Sequence, residues 1–211
     1  MIVSDTGGNA DFKQVPAGTH LARCYRLVDL GTQKTEWQGQ SKSLRKVMVS
    51  FEIHGDDDDA NPIVMDDGKP MSISKNYTFS LAEKATLRAD LVSWRGRAFT
   101  DEELRKFELE TILGAWAMIS VVHAPGNNGK VYSNIVNING VPPVIRKNGL
   151  PKGFNDTSVF SLDNPDMKVF EKLSKGIKAK IETSPEWRQL TQAPRATVGS
   201  GFDDMADDVP F

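Results

Sequence analysis

The 211-residue sequence is poor in the groups that build covalent or metal scaffolds, with one cysteine, Cys24, and three histidines, His20, His54 and His123. A single thiol cannot close an internal disulfide, and no cluster has zinc-ligand spacing, so a reducing cytoplasm is the expected setting. Long apolar runs are also missing. Ala115 to Val122 falls far short of the ~20 residues that cross a bilayer, and Met1-Ile2-Val3-Ser4-Asp5 has neither the basic start nor the apolar stretch of a secretion signal. No membrane partner is expected. There is no phosphate-cradling glycine loop with its lysine, no nucleophile elbow, and no His-Cys or His-Glu cluster. Gly126-Asn127-Asn128-Gly129 is a turn signal, because no helix follows it, and His123 has no acid near it in sequence. The expectation is a protein without catalytic residues, cofactor or metal.

What is present is ordinary in total and uneven in distribution. Hydrophobic residues make up 39% and charged residues 26%, a soluble globular composition, and the length suits one domain with extensions. The net charge of -2 conceals an acidic stretch from Gly55 to Lys69 of net -5 and a final 21 residues of net -3, which leaves the remaining body at +6. A basic body points to a polyanion partner, and a separate acidic tail to a competitor for that surface or a handle for other proteins. The run Asp56 to Asp59 does not match a calcium loop, since a loop starting at Asp57 would put Pro62 where glycine is required. It reads as a solvated loop that keeps polyanions off one edge.

Periodicity divides the chain. Residues 1–16 read as a loose arm. A strand is expected from Thr19 to Val28, then a polar hairpin loop from Gly31 to Ser43. A second strand runs from Arg45 to His54, where Val47, Val49, Phe51 and Ile53 alternate with polar neighbours as if one face were covered. The third is Met71 to Phe79. Ser80-Leu81-Ala82-Glu83 and Thr100-Asp101-Glu102-Glu103 read as capping boxes opening two helices. Strands 4 and 5, Trp116 to His123 and Lys130 to Asn139, flank the glycine-asparagine turn. A last helix is expected from Asn164-Pro165, with Phe170, Leu173, Ile177 and Ile181 on one stripe and Pro185 ending it. Trp94 and Trp116 read as core, and Trp187 as packing beside that helix. The predicted class is mainly β with helices (α+β): a five-stranded OB-fold Greek-key barrel over residues 1–190, helices between strands 3 and 4, and a flexible acidic tail over 191–211.

Two groups of residues carry the functional expectation. Gripping an unpaired nucleic-acid strand requires cations along phosphates and flat rings against bases. Arg23, Tyr25, Lys34, Trp37, Arg45, Lys46, Lys75, Tyr77, Lys130 and Tyr132 fall on strands 1 to 3, the loop joining strands 1 and 2, and the hairpin joining strands 4 and 5, the surfaces this barrel uses for oligonucleotides. Trp37 is the leading stacking candidate, because no apolar periodicity surrounds it. The second group is the chain's end, Asp207, Asp208, Val209, Pro210 and Phe211. It reads as a docking peptide whose phenylalanine fills an apolar pocket while the aspartates steer the approach.

That ending resembles the tip of bacterial single-stranded DNA-binding proteins. Three further stretches resemble bacteriophage members of that class: Arg23 through Asp29-Leu30-Gly31-Thr32-Gln33; Tyr77-Thr78-Phe79-Ser80-Leu81 with Leu87-Arg88 and Trp94-Arg95-Gly96-Arg97; and Leu113-Gly114 with Val121-Val122-His123, Gly129-Lys130-Val131-Tyr132 and Asn134-Ile135. Ala115-Trp116 departs from the Lys-Pro type of pair found there. The resemblance implies an OB-fold core that coats single-stranded DNA without sequence specificity in viral replication or recombination, in the host cytoplasm, with replication or recombination proteins recruited by the tail. A homo-oligomer is compatible with it. Two other classes stay open at this point: an adaptor whose barrel binds only proteins, and a metal-dependent nuclease or strand-annealing protein.

Overall fold

A computed structural model describes residues 13–37, 39–126 and 129–192 of the chain. The acidic tip, Asp207 to Phe211, lies outside the described residues. The described part is a mixed α+β structure dominated by one six-stranded sheet, with strand order β3-β2-β1-β4-β5 and a short sixth strand beside β1. The strands are β1 (Gly18–Trp37), β2 (Gln40–His54), β3 (Ser72–Thr78), β4 (Trp116–Pro125), β5 (Val131–Gly140) and β6 (Ser158–Phe160). All pairings along the main path are antiparallel, whereas β6 runs parallel to β1 at Arg26 to Val28. The five expected strands and the helical insertion after the third are present, and β6 is an addition.

Alternation explains the inner face. Val47, Val49, Phe51 and Ile53 of β2 are buried with Ala22 and Cys24 of β1, Ile73 and Tyr77 of β3, Ile119 of β4 and Ile138 of β5. The two ends of the strand order, β3 and β5, come close to one another, so the sheet curls around this core. Helix α1 (Thr86–Arg95) seals it with Leu87, Leu91 and Trp94. The expectation of one covered face on β2 is corrected. Met48, Ser50 and Glu52 are buried too, because residues after β5 fold across the outer side of β1 and β2. There Val28, Leu30 and Met48 meet Phe160, Leu162, Phe170, Leu173 and Ile181 in a second core. Trp187 stacks on Phe170 with ring centres 4.4 Å apart, as expected of it.

Several local expectations are also corrected. The polar stretch Gly31 to Ser43 is no loop; β1 and β2 continue as a two-stranded ribbon paired out to Trp37 and Gln40, closed by a turn with Gly39 at φ +75°. Both faces of that ribbon are polar, so it lacks the hydrophobic signature of a strand, and the backbone ladder and turn geometry carry it instead. At its base the ladder slips by one residue between Asp29 and Gly31. Ser80 does not cap a helix. Its hydroxyl accepts from the Ala82 amide, and α1 begins after Ala85 without a side-chain cap. The second box does form, at α2 (Asp101–Arg105), with Thr100 and Glu103 bonded reciprocally. After α3 (Pro143–Lys147), the single expected C-terminal helix is three: α4 (Met167–Glu171), α5 (Lys175–Glu182) and α6 (Pro185–Gln192). Pro185 starts the last one, where the missing N–H costs nothing. The Ser184 hydroxyl accepts from the Trp187 amide to cap it.

Candidate nucleic-acid interface

The ten candidate residues separate into those committed inside the fold and those presented outward. Arg23 belongs to the first set. Its guanidinium donates to the buried Glu52 carboxylate at 3.2 Å and to the Asn155 carbonyl at 3.0 Å. Tyr77 is buried and donates to Asp90 at 2.8 Å, and Lys75 meets the same carboxylate oxygen at 2.7 Å. Burial, followed by the Asp90 charge, drives the Tyr77 hydroxyl far above its ordinary value. Tyr25 is buried where the β1 ladder shifts register, with the Arg26 guanidinium 5.0 Å from its ring centre. Tyr25 and Tyr77 are therefore corrected from stacking platforms to packing residues, because a buried ring offers no face to a base. Arg23 and Lys75 are corrected from phosphate contacts to internal ion pairs, because a distant carboxylate already holds each.

Arg45 is intermediate. It forks onto Asp29, bonds Asp163 at 2.8 Å, and lies 5.9 Å from the ring centre of Phe79. The Asp29 hydrogen bond raises its already high pKa further. Asp29 itself is buried and accepts from the Gly31 and Leu162 amides, so Arg45 anchors the ribbon to the C-terminal layer. Thr32 adds a second tie, donating from its amide and hydroxyl to Glu186.

The outward set lies on the two hairpins. Lys34 is exposed on the ribbon opposite Ser43, while Trp37 ends β1 with its backbone opposite Gln40 and its side chain lies outside the described residues. Alternation puts Lys34 and Arg45 on one face of the ribbon and Lys42, Leu44 and Lys46 on the other. Lys46 reaches across to the Thr78 hydroxyl at 2.9 Å. Phe79, just past β3, is 45% exposed beside this base, and its amide bonds the Arg45 carbonyl. Lys130 and Tyr132 are exposed on the β4–β5 hairpin, in a stripe continued by Val122 and Val136. Because β1 pairs antiparallel with both neighbours, these two hairpins extend past opposite ends of β1; the fold does not gather all ten residues. Lys42 and Leu44 are exposed ribbon residues outside the ten candidates, and Phe79 is an exposed ring at the ribbon's base. The polar alternation through Lys34, Lys42 and Leu44 was the available signal.

Elsewhere the chemistry is muted. Burial pushes the Cys24 thiol up to about 12. Asp57 accepts from the amides of Asp59 and Asn61, turning the acidic loop on itself. Among the described residues, no three His, Cys, Asp or Glu side chains converge as a metal-ligand set, and no helix is long and apolar enough to cross a membrane. No protein-family model and no curated protein matches the chain.

Proposed function

We propose that this chain is a single-stranded DNA-binding protein built on an OB-fold barrel. The observation that carries the reading is topological. A curled sheet ordered β3-β2-β1-β4-β5, with helices between β3 and β4, has the connectivity of the five-stranded Greek-key barrel that takes oligonucleotides along its strands and its first and last hairpins. The same two hairpins are where this chain carries outward Lys34, Lys42, Lys130 and Tyr132. The basic body and the resemblance to phage strand-coating proteins support the same conclusion. Lysines would track phosphates while exposed rings stack bases, a mode that tolerates any sequence and covers roughly 4 to 16 nucleotides per barrel. The acidic tip recruits replication or recombination proteins.

The C-terminal layer narrows the available surface. It covers the outer side of β1 and lower β2, so the strand path runs over the ribbon, its base at Lys46 and Phe79, and the β4–β5 hairpin. Fluorescence anisotropy against oligothymidine, duplex and RNA across a salt series tests the proposal. Tight binding to the single strand that weakens steeply with salt is the expected result. Indifference to oligonucleotides at low ionic strength would overturn it in favour of a protein-binding adaptor, and metal-dependent loss of the probe in favour of a nuclease.

A further inference from the structure

A cleft of about 630 Å³ opens between α1, α2 and the start of β4, away from both hairpins. That volume lies within the range of small-ligand sites. Four cations line it, Arg95, Arg97, Lys106 and Arg146, against only two acids, Glu103 and Glu108.

The acids are already occupied. Glu103 accepts from Arg95, from Arg97 at 2.7 and 3.0 Å, and from the Thr100 amide at 3.0 Å. The Arg97 hydrogen bond, then that of Thr100, holds its carboxyl down at about 2. Glu108 stands 4.0 Å from Lys106, both largely exposed. Donors remain in surplus: Arg95 Nη1 is buried with no acceptor, and Arg146 forms no salt bridge among the described residues. Gly140 allows this crowding. A side chain there would meet the Trp94 carbonyl at 2.9 Å and the Arg146 guanidinium at 3.6 Å.

Aromatic surface accompanies the charge. Trp116, expected in the core, is instead half-buried at the cleft wall, with the His54 ring packed at 4.8 Å and 63°. Phe107 is likewise half-buried on the wall. Surplus guanidinium and ammonium donors beside flat rings match a phosphate joined to a base.

We infer that this cleft binds a nucleotide of the single strand, its phosphate among Arg97, Lys106 and Arg146 and its base against Trp116 or Phe107. The inference rests on the strand-binding reading and adds a contact on the helical side of the barrel, separate from the ribbon. A strand engaging both is held at two places.

The test compares full-length wild type with two charge-reversal pairs, Lys106→Glu/Arg146→Glu in the cleft and Lys34→Glu/Lys42→Glu on the ribbon. All four side chains are exposed, and thermal melts confirm folding. Anisotropy with fluorescein-labelled oligothymidine is read from 50 to 300 mM salt. The cleft pair is expected to lose tenfold or more in affinity, with a salt slope shallower by ~0.7 for each phosphate contact removed. A bromouracil strand should crosslink to the tryptic peptide 107–130. An unchanged affinity and slope in the cleft pair, with weakening in the ribbon pair, overturns the inference and leaves the reading standing. Failure of wild type to bind the strand overturns both. If thymidine triphosphate quenches tryptophan fluorescence while strand affinity is unaltered by the cleft pair, the site serves free nucleotides and the inference falls.

Discussion

Arg23 and Glu52 form an ion pair of 3.2 Å in which the carboxylate is wholly shielded from solvent. Glu52 also accepts from the amides of Phe154 and Asn155, the Asn155 side chain and His54, so one buried charge fastens the chain after β5 onto β2. An unpaired buried carboxylate would be strongly destabilising, and five donors are what make this one tolerable.

Acid sensitivity follows from that arrangement. Burial alone would raise the Glu52 carboxyl, but the Asn155 hydrogen bonds, with those of His54 and Phe154, outweigh it and hold the group at about 2 rather than 4.5. A folded-state value below the unfolded one contributes stability that is complete above about pH 4.5 and is lost as pH falls towards 2, up to about 3 kcal/mol in all. Urea unfolding at pH 7, 5 and 3 should show the wild type losing stability more steeply below pH 5 than Glu52→Gln. Parallel pH profiles would remove Glu52 from that role.

Gly31 is predicted to resist substitution. It has φ +69°, and an added Cβ would sit 2.4 Å from Ser184 Cβ and 2.8 Å from a Leu162 methyl. Left-handed backbone costs a non-glycine residue ~1 to 2 kcal/mol, and overpacking adds ~1 to 3. Gly31→Ala should therefore lower unfolding free energy by about 2 to 5 kcal/mol in denaturant titration; Gly39→Ala, with no atom within 4 Å, should cost clearly less.

Two aromatic residues should separate in their effects. Trp37→Ala is expected to weaken oligothymidine binding by ~1 to 3 kcal/mol, the range for one stacked base. Tyr77→Phe should leave binding unchanged and cost about 1 kcal/mol of stability, because it removes one hydrogen bond and leaves Asp90 paired with Lys75. Equal binding losses in both variants would contradict the division.

The acidic tail is expected to act separately from the folded body. Deleting residues 193–211 should leave strand affinity unchanged or higher, since four aspartates that compete with phosphate are removed, while binding to replication or recombination proteins is lost. Anisotropy and surface plasmon resonance on the truncated chain measure the two halves, and a fall in strand affinity would count against the tail as competitor.

The core-lining strands were legible because their information is local. Val47, Val49, Phe51 and Ile53 announce a covered face through their own spacing, and Thr100 with Glu103 announces a helix start within four residues. The ribbon from Gly31 to Ser43 was not legible, since a strand with two wet faces has no hydrophobic period, and β6 spans only three residues. The candidate interface was legible as an inventory of cations and rings, without their assignments. Whether Arg23, Arg45 or Lys75 faces a phosphate or a carboxylate depends on Glu52, Asp29 and Asp90, whose positions in space follow from the packing of the whole sheet. Hydrophobic alternation is a property of neighbours along the chain, so composition and order settle it. Charge pairing acts over about 4 Å between groups remote in sequence, so only the folded chain could separate the cations that hold the protein together from those presented to solvent.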